Sequence, residues 1–180
     1  MFNKKSIIGF AVLAVSLAAV SAQAQFNTTG TTSVSVVVGA EASIQVNTAT
    51  TTLTNVGTIF ANYTGSTSLT FKMRTTKVGG TGSITLQVTS DFSPANGPSV
   101  ATPPTAGDVL SYSCTVATGT ACTGNINSST ASATSVATFG TDFHSASAGN
   151  AGSVSWILTD DPTYKTGTYA ATVTFTVSAA

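Results

Sequence analysis

The segment Thr168 to Ser178 carries an apolar residue at every second position, and this alternation constrains the fold more than any other feature of the chain. Successive side chains of a β-strand point to opposite faces, so the pattern predicts a strand with one buried and one solvated face. Thr172, Thr174 and Thr176 form the face predicted to meet water. No comparably long stretch after residue 24 has a helical period, which favours an all-β protein.

The same period of two recurs along the chain, separated by Gly, Pro and Asn residues that are typical of turns. The further candidate strands are Thr32 to Val38, Ser43 to Val46, Thr51 to Val56, Ser68 to Arg74, Ser83 to Thr89, Val109 to Val116, Ser135 to Phe139 and Val154 to Thr159. Eight or nine short strands predict one antiparallel β-sandwich. Immunoglobulin-like and jelly-roll topologies both fit this pattern.

The first 24 residues have the pattern of a cleaved signal peptide. Lys4 and Lys5 precede an apolar run from Ile7 to Val20, and Ala22-Gln23-Ala24 offers the small residues of a cleavage site. The run is shorter than the roughly 20 residues of a membrane-spanning helix, so we expect removal rather than anchoring. The predicted organisation is a signal peptide over residues 1–24, a flexible extension over 25–30 and one domain over 31–180, secreted to the periplasm or the cell surface.

Charge is sparse after the predicted cleavage point. Four basic and six acidic side chains remain in 156 residues, a net charge of −2. Binding to nucleic acid or to an anionic membrane needs clusters of Lys and Arg, and the sequence has none. We therefore expect neither kind of partner, and no membrane span in the mature chain.

Cys114 and Cys122 are the only cysteines. In an exported chain we expect them to form a disulfide, which in the chain-entropy account is worth about 2.6 kcal/mol for a loop of this length. A metal site or a reactive thiol is the alternative. Two cysteines without a nearby pair of histidines make a poor zinc site, so the structural disulfide is favoured.

The sequence predicts no catalytic, cofactor or metal site. His144 is the only histidine, and serine is so abundant that a Ser near it carries no information. Asp160 and Asp161 are adjacent and precede Pro162, which is typical of a turn rather than of two converging carboxyl groups. Trp156 and Tyr169 could stack on sugar rings, but each shares its predicted face with aliphatic residues, which favours the core.

The segment after the predicted cleavage point suggests a more specific role. It is polar at first and then alternates, with Val34, Val36 and Val38 on one face. In donor-strand assembly, one subunit supplies a strand that completes the sheet of its neighbour. We therefore identify Val34, Val36 and Val38 as a candidate donor strand. The alternative is that the segment is the first strand of its own sandwich.

Four motifs together resemble the spore coat protein U and Csu-type fimbrial subunits of bacteria. They are the alternating amino-terminal strand, Ala42-Ser43-Ile44-Gln45-Val46, Leu53-Thr54-Asn55-Val56-Gly57, and Thr166-Gly167-Thr168-Tyr169 at the start of the last strand. The resemblance implies a secreted immunoglobulin-like subunit of a chaperone-usher pilus. Its partners would be further surface subunits, a periplasmic chaperone and an usher.

These observations predict a structural or adhesive surface protein, with a fimbrial subunit as the specific hypothesis. The alternative is a module that binds carbohydrate or another ligand through the proline-rich loop Ser93 to Gly107 and the loop Thr123 to Thr134. A hydrolase is the third possibility, with His144 as its one candidate base.

Overall fold

The computed structural model describes residues 29–180. The predicted signal peptide and most of the predicted flexible extension lie outside these residues. The described residues belong to two units, which meet between residues 36 and 37. The described part of the first unit, residues 29–36, has no regular secondary structure.

The second unit contains ten strands. They are β1 Glu41–Val46, β2 Thr54–Asn55, β3 Tyr63–Arg74, β4 Gly82–Ser93, β5 Leu110–Val116, β6 Thr120–Ala121, β7 Ile126–Asn127, β8 Thr134–Phe139, β9 Asn150–Leu158 and β10 Ala170–Ala179.

Two antiparallel sheets make up the domain. One has the order β1-β3-β9-β5-β7, with β2 also paired to β3, and the other has the order β10-β4-β8-β6. The sheets do not close into a barrel. The predicted all-β antiparallel sandwich is confirmed.

The register of the strands defines two ends of the sandwich. Glu41, the first residue of β1, pairs with Arg74, the last residue of β3. We call this the lower end, and the carboxyl terminus also lies here, since the amide of Ala180 donates to the carbonyl of Thr81 over 2.8 Å. The upper end holds the start of β3 and the loop between β9 and β10.

Alternating side chains of both sheets meet in one core, as the period of two predicts. Its aromatic residues contact one another, with ring centroids 5.2 Å apart for Phe71 and Phe139 and 5.5 Å apart for Tyr112 and Trp156. The indole Nε1 of Trp156 donates to the Thr67 hydroxyl over 2.8 Å. The buried apolar residues are Leu69, Phe71, Met73, Ile84, Leu86, Val88, Leu110, Tyr112, Val136, Ala137, Phe139, Val154, Trp156 and Leu158.

The two lateral edges of the sandwich differ. At one edge the chain passes from β5 in the larger sheet to β6 in the smaller sheet, which closes that side. At the opposite edge lie β1 and β10, each at the end of its sheet. Their Cα atoms approach within 8 Å, but the two strands are not paired. We call this side, formed by β1 and β10, the open edge.

The structure corrects three sequence-based expectations about strands. Thr32 to Val38 alternates like a strand but forms none, because no strand of either sheet pairs with it. Of Thr51 to Val56, only Thr54–Asn55 pairs. The predicted loop Thr123 to Thr134 contains the short strand β7, and β6 was not predicted either.

Tyr169 is not in the core, contrary to expectation. It precedes β10, its ring lies against Gly97, and its hydroxyl donates to the carbonyl of Lys165 over 2.7 Å. The register of β10 against β4 shifts between Ala170 and Val173, so the face of the later apolar residues does not extend back to Tyr169.

Candidate functional site

His144 lies at the lower end and is exposed. It forms an isolated bridge with Arg74, and its Nδ1 is 3.1 Å from the carbonyl oxygen of Asp142. That contact joins the ring to backbone and not to a carboxylate. Within residues 29–180, no group of three or more His, Cys, Asp or Glu side chains could hold a metal ion.

Asp160 and Asp161 occupy a turn at the upper end. Asp161 accepts a hydrogen bond from the Thr163 amide over 2.6 Å, and its hydrogen bonds, those from Thr163 first, hold the pKa of this carboxyl below its usual value. Asp160 accepts from Asn55 at 3.5 Å. Asp161 thus stabilises the turn, as predicted, whereas Asp160 contacts the end of β2.

Tyr164 follows the same turn, and its hydroxyl is buried. Burial raises the pKa of this phenol, and the neighbouring carboxyl of Asp108 raises it further. The group therefore stays neutral at physiological pH.

Asp91 holds the start of the proline-rich loop. Its carboxylate accepts hydrogen bonds from the Ser99 hydroxyl at 2.6 Å and from the amides of Phe92, Val100 and Ala101 at 2.8 to 3.1 Å. Partial burial by itself raises the pKa of Asp91, but the hydrogen bonds outweigh it, those from Ser99 and Val100 first, and the pKa lies below its usual value. The loop is therefore fixed to the sandwich.

Cys114 and Cys122 form the predicted disulfide, with Cα atoms 5.5 Å apart. Cys114 lies in β5 of the larger sheet, and Cys122 follows β6 of the smaller one. The bond therefore links the two sheets at the closed edge. A structural disulfide is typical of an extracellular or periplasmic environment.

The apolar interior is only partly covered at the open edge. Val173, Phe175 and Val177 of β10 pack against the core but are only half-buried, and so is Ile44 of β1. Val46, at the end of β1, is exposed. The sequence predicts a core-facing side for these strands, and the structure leaves that side partly open.

Each strand of the open edge also has one row of unpaired backbone groups. Within residues 29–180, β10 pairs only with β4, and β1 only with β3. An unpaired row of amides and carbonyls is a template for another strand. Apolar side chains and free backbone groups therefore coincide at this edge.

The candidate donor residues are exposed. Val34, Val36 and Val38 are 90%, 82% and 60% exposed, and residues 29–40 contain no strand. The alternative that this segment is the first strand of its own sandwich does not hold for the described chain. Regular structure begins only at Glu41.

Trp156 is unavailable for stacking on a sugar ring, because it is buried. No helix in the described part of the chain is long and apolar enough to cross a membrane. Comparison with protein-family models, with curated proteins and with solved structures finds no match.

Proposed function

We propose that this protein is a secreted structural subunit of a bacterial surface fimbria, assembled by strand donation. The segment that carries Val34, Val36 and Val38 would extend from one copy and pair with the free edge of β10 in the next copy. The observation that carries this proposal is the open edge, where half-buried apolar residues meet an unpaired strand.

The two surfaces complement each other chemically. A donated strand would form main-chain hydrogen bonds with β10 and lay alternate valines over Val173, Phe175 and Val177. Full burial of a valine side chain is worth about 1.5 to 3 kcal/mol. Three valines on one face would therefore contribute several kcal/mol beyond the backbone pairing.

Chain connectivity favours donation between copies over pairing within one copy. Only Gly39 and Ala40 separate Val38 from β1, which starts at the lower end. In its own copy, a strand ending at Val38 would have to run downward, parallel to β10, which also ends at the lower end. In a neighbour the same strand is free to run antiparallel to β10, and antiparallel pairing is the more stable arrangement per residue.

An antiparallel arrangement also gives an open-ended polymer. Val38 then lies at the upper end of the acceptor, and the donor sandwich follows directly beyond it. The contact joins different surfaces of the two copies, and such a contact produces a fibre when it does not close into a ring. β1 and β10 must separate slightly to admit a strand between them, since strands pair at about 4.8 Å and two such spacings exceed 8 Å.

An uncovered open edge is also an aggregation hazard for a newly exported subunit. The proposal therefore requires two partners. One is a periplasmic chaperone that covers β10, and the other is an usher that replaces the chaperone with the next subunit. They follow from the resemblance to Csu-type subunits.

The test compares the two faces of the donor segment. Replacing Val34, Val36 and Val38 with Thr keeps the β-branched shape but puts hydroxyls where burial is required. We expect no polymer from this variant and normal polymer from Val37→Thr, the control on the other face. Equal polymer yield from both variants, measured by light scattering and electron microscopy, would overturn the proposal.

A further inference from the structure

Three large apolar side chains are exposed to solvent at the upper end, in the loop between β2 and β3. Val56, Ile59 and Phe60 are 68%, 86% and 55% exposed. We call these three residues the apolar tip. Single exposed apolar residues are ordinary, but three in five positions are typical of an interaction site.

The loop that carries the tip is held in shape. The Asn55 side chain donates to the carbonyl of Ala61 and accepts from the amide of Gly57 over 3.1 Å. A Cβ at Gly57 would lie 2.5 Å from the Cβ of Ala61, so the turn requires glycine. Phe60 has a φ of 55°, a strained conformation for a bulky residue. The backbone therefore presents the apolar side chains outward.

The apolar tip lies next to the open edge. β2 pairs with β3 on the same side as β1, and its partners Tyr63 and Thr64 are at the upper end. The tip thus lies at the upper end of the open edge, where the proposed donor strand would end.

A cavity of about 300 Å³ lies at the lower end, beside the point where the extension leaves the domain. Val38, Gly39 and Phe143 contribute to its lining, and the other lining residues are polar or charged, namely Arg74, Thr75, Thr76, Lys77, Asp142 and His144. We call this the lower cavity. The volume is large enough for an aromatic side chain, since a cavity half this size admits a benzene molecule, and Phe143 offers an apolar contact within it.

Strand donation would bring the tip and the cavity together. With Val38 at the upper end of the acceptor, Gly39 and Ala40 alone connect it to β1 of the donor. Three residue steps span at most about 11 Å. The lower end of the donor must then contact the upper end of the acceptor.

The net charges at these two surfaces are opposite in sign. Asp160 lies next to Asn55 at the base of the tip, whereas the lining of the lower cavity has two cations, Arg74 and Lys77, and one carboxyl, Asp142. Opposite charges at the rim of a contact favour the correct docking of its two sides.

We propose that the apolar tip of each copy inserts into the lower cavity of the copy whose strand it has accepted. The partner is a second copy of this chain, and the inference rests on the proposed function. The contact fixes the angle between neighbouring subunits, which a flexible two-residue connection alone would leave free.

The test separates the tip contact from strand donation. An acceptor lacking residues 25–38 is titrated against a full donor immobilised at low density, and separately against the peptide Thr31 to Val38. We expect the full donor to bind at least tenfold more tightly than the peptide. The double substitution Ile59→Thr with Phe60→Asn in the acceptor should remove this additional affinity and leave peptide binding unchanged. Asn is chosen at position 60 because it tolerates the positive φ found there. Phe60→Leu is the matched control and should keep the additional affinity.

Each outcome has a definite meaning. Peptide that does not bind the acceptor refutes strand donation itself. The tip contact alone is refuted if the peptide binds but the full donor binds no more tightly than the peptide. It is also refuted if the additional affinity of the full donor survives Ile59→Thr with Phe60→Asn. As a second readout, Lys77→Asp in the donor should weaken binding about threefold to tenfold, and Asp160→Lys in the acceptor should restore it. Failure of this rescue also counts against the inferred orientation.

Discussion

The guanidinium of Arg74 donates from Nε to the carbonyl of Gly39 over 2.8 Å, at the point where the amino-terminal extension joins the domain. Its Nη2 also lies 3.1 Å from the Glu41 carboxylate. One side chain at the end of β3 thus fixes both Gly39, which directly follows the candidate donor segment, and Glu41, the first residue of β1.

Arg74→Ala should change assembly more than stability. The ion pair with Glu41 is exposed, so we expect the free energy of unfolding to fall by less than about 1 kcal/mol. Polymer should form more slowly, because the direction of the extension is no longer held. Lys72→Ala, an exposed cation on the same strand, is the control, and equal assembly rates for the two variants would contradict this role.

Reduction of Cys114–Cys122 should destabilise the domain. The loop it closes predicts a loss of about 2.6 kcal/mol in the free energy of unfolding, measured by urea titration with and without a thiol reductant. The double variant Cys114→Ser with Cys122→Ser should match the reduced protein and no longer respond to reductant. A midpoint unchanged by reduction would show that the bond adds nothing to stability.

Tyr112→Phe should weaken the contact between the sheets. The buried Tyr112 hydroxyl donates within β8, with Thr134 Oγ1 at 2.7 Å and the Ser135 carbonyl at 2.8 Å. Its removal takes one donor away from these part-buried acceptors, so we expect a loss of about 1 kcal/mol in the free energy of unfolding, measured by chemical denaturation. The same substitution at Tyr169, whose hydroxyl bond is at the surface, should cost less.

Asp91→Asn should make stability less dependent on pH in the acid range. Because the folded-state pKa of Asp91 lies below its unfolded value, near 3.8, the carboxylate stabilises the fold fully above that value. This stabilisation is lost as the pH falls through the folded-state pKa. The difference in stability between wild type and variant should therefore be largest at neutral pH and shrink below pH 4.

The period of two predicts the core because burial and strand geometry act together in the long strands. Leu69, Phe71 and Met73 alternate in sequence and are all buried. The two-residue strands β6 and β7 could not be found in this way, because a pair of residues has no period.

Alternation identifies a strand-forming segment but not the sheet edge with which it pairs. Thr32 to Val38 has the pattern of a strand, yet the described chain leaves it unpaired. The open edge depends on which strands end each sheet, and that order is a tertiary property. The apolar tip was missed because Val56, Ile59 and Phe60 follow neither a strand nor a helix period.

The single covalent cross-link sits on the side of the sandwich that faces away from β1 and β10. In a polymer assembled as proposed, reduction would therefore destabilise each subunit and leave the contacts between subunits unchanged. The subunits of such a polymer would unfold under a smaller load in reducing than in oxidising conditions.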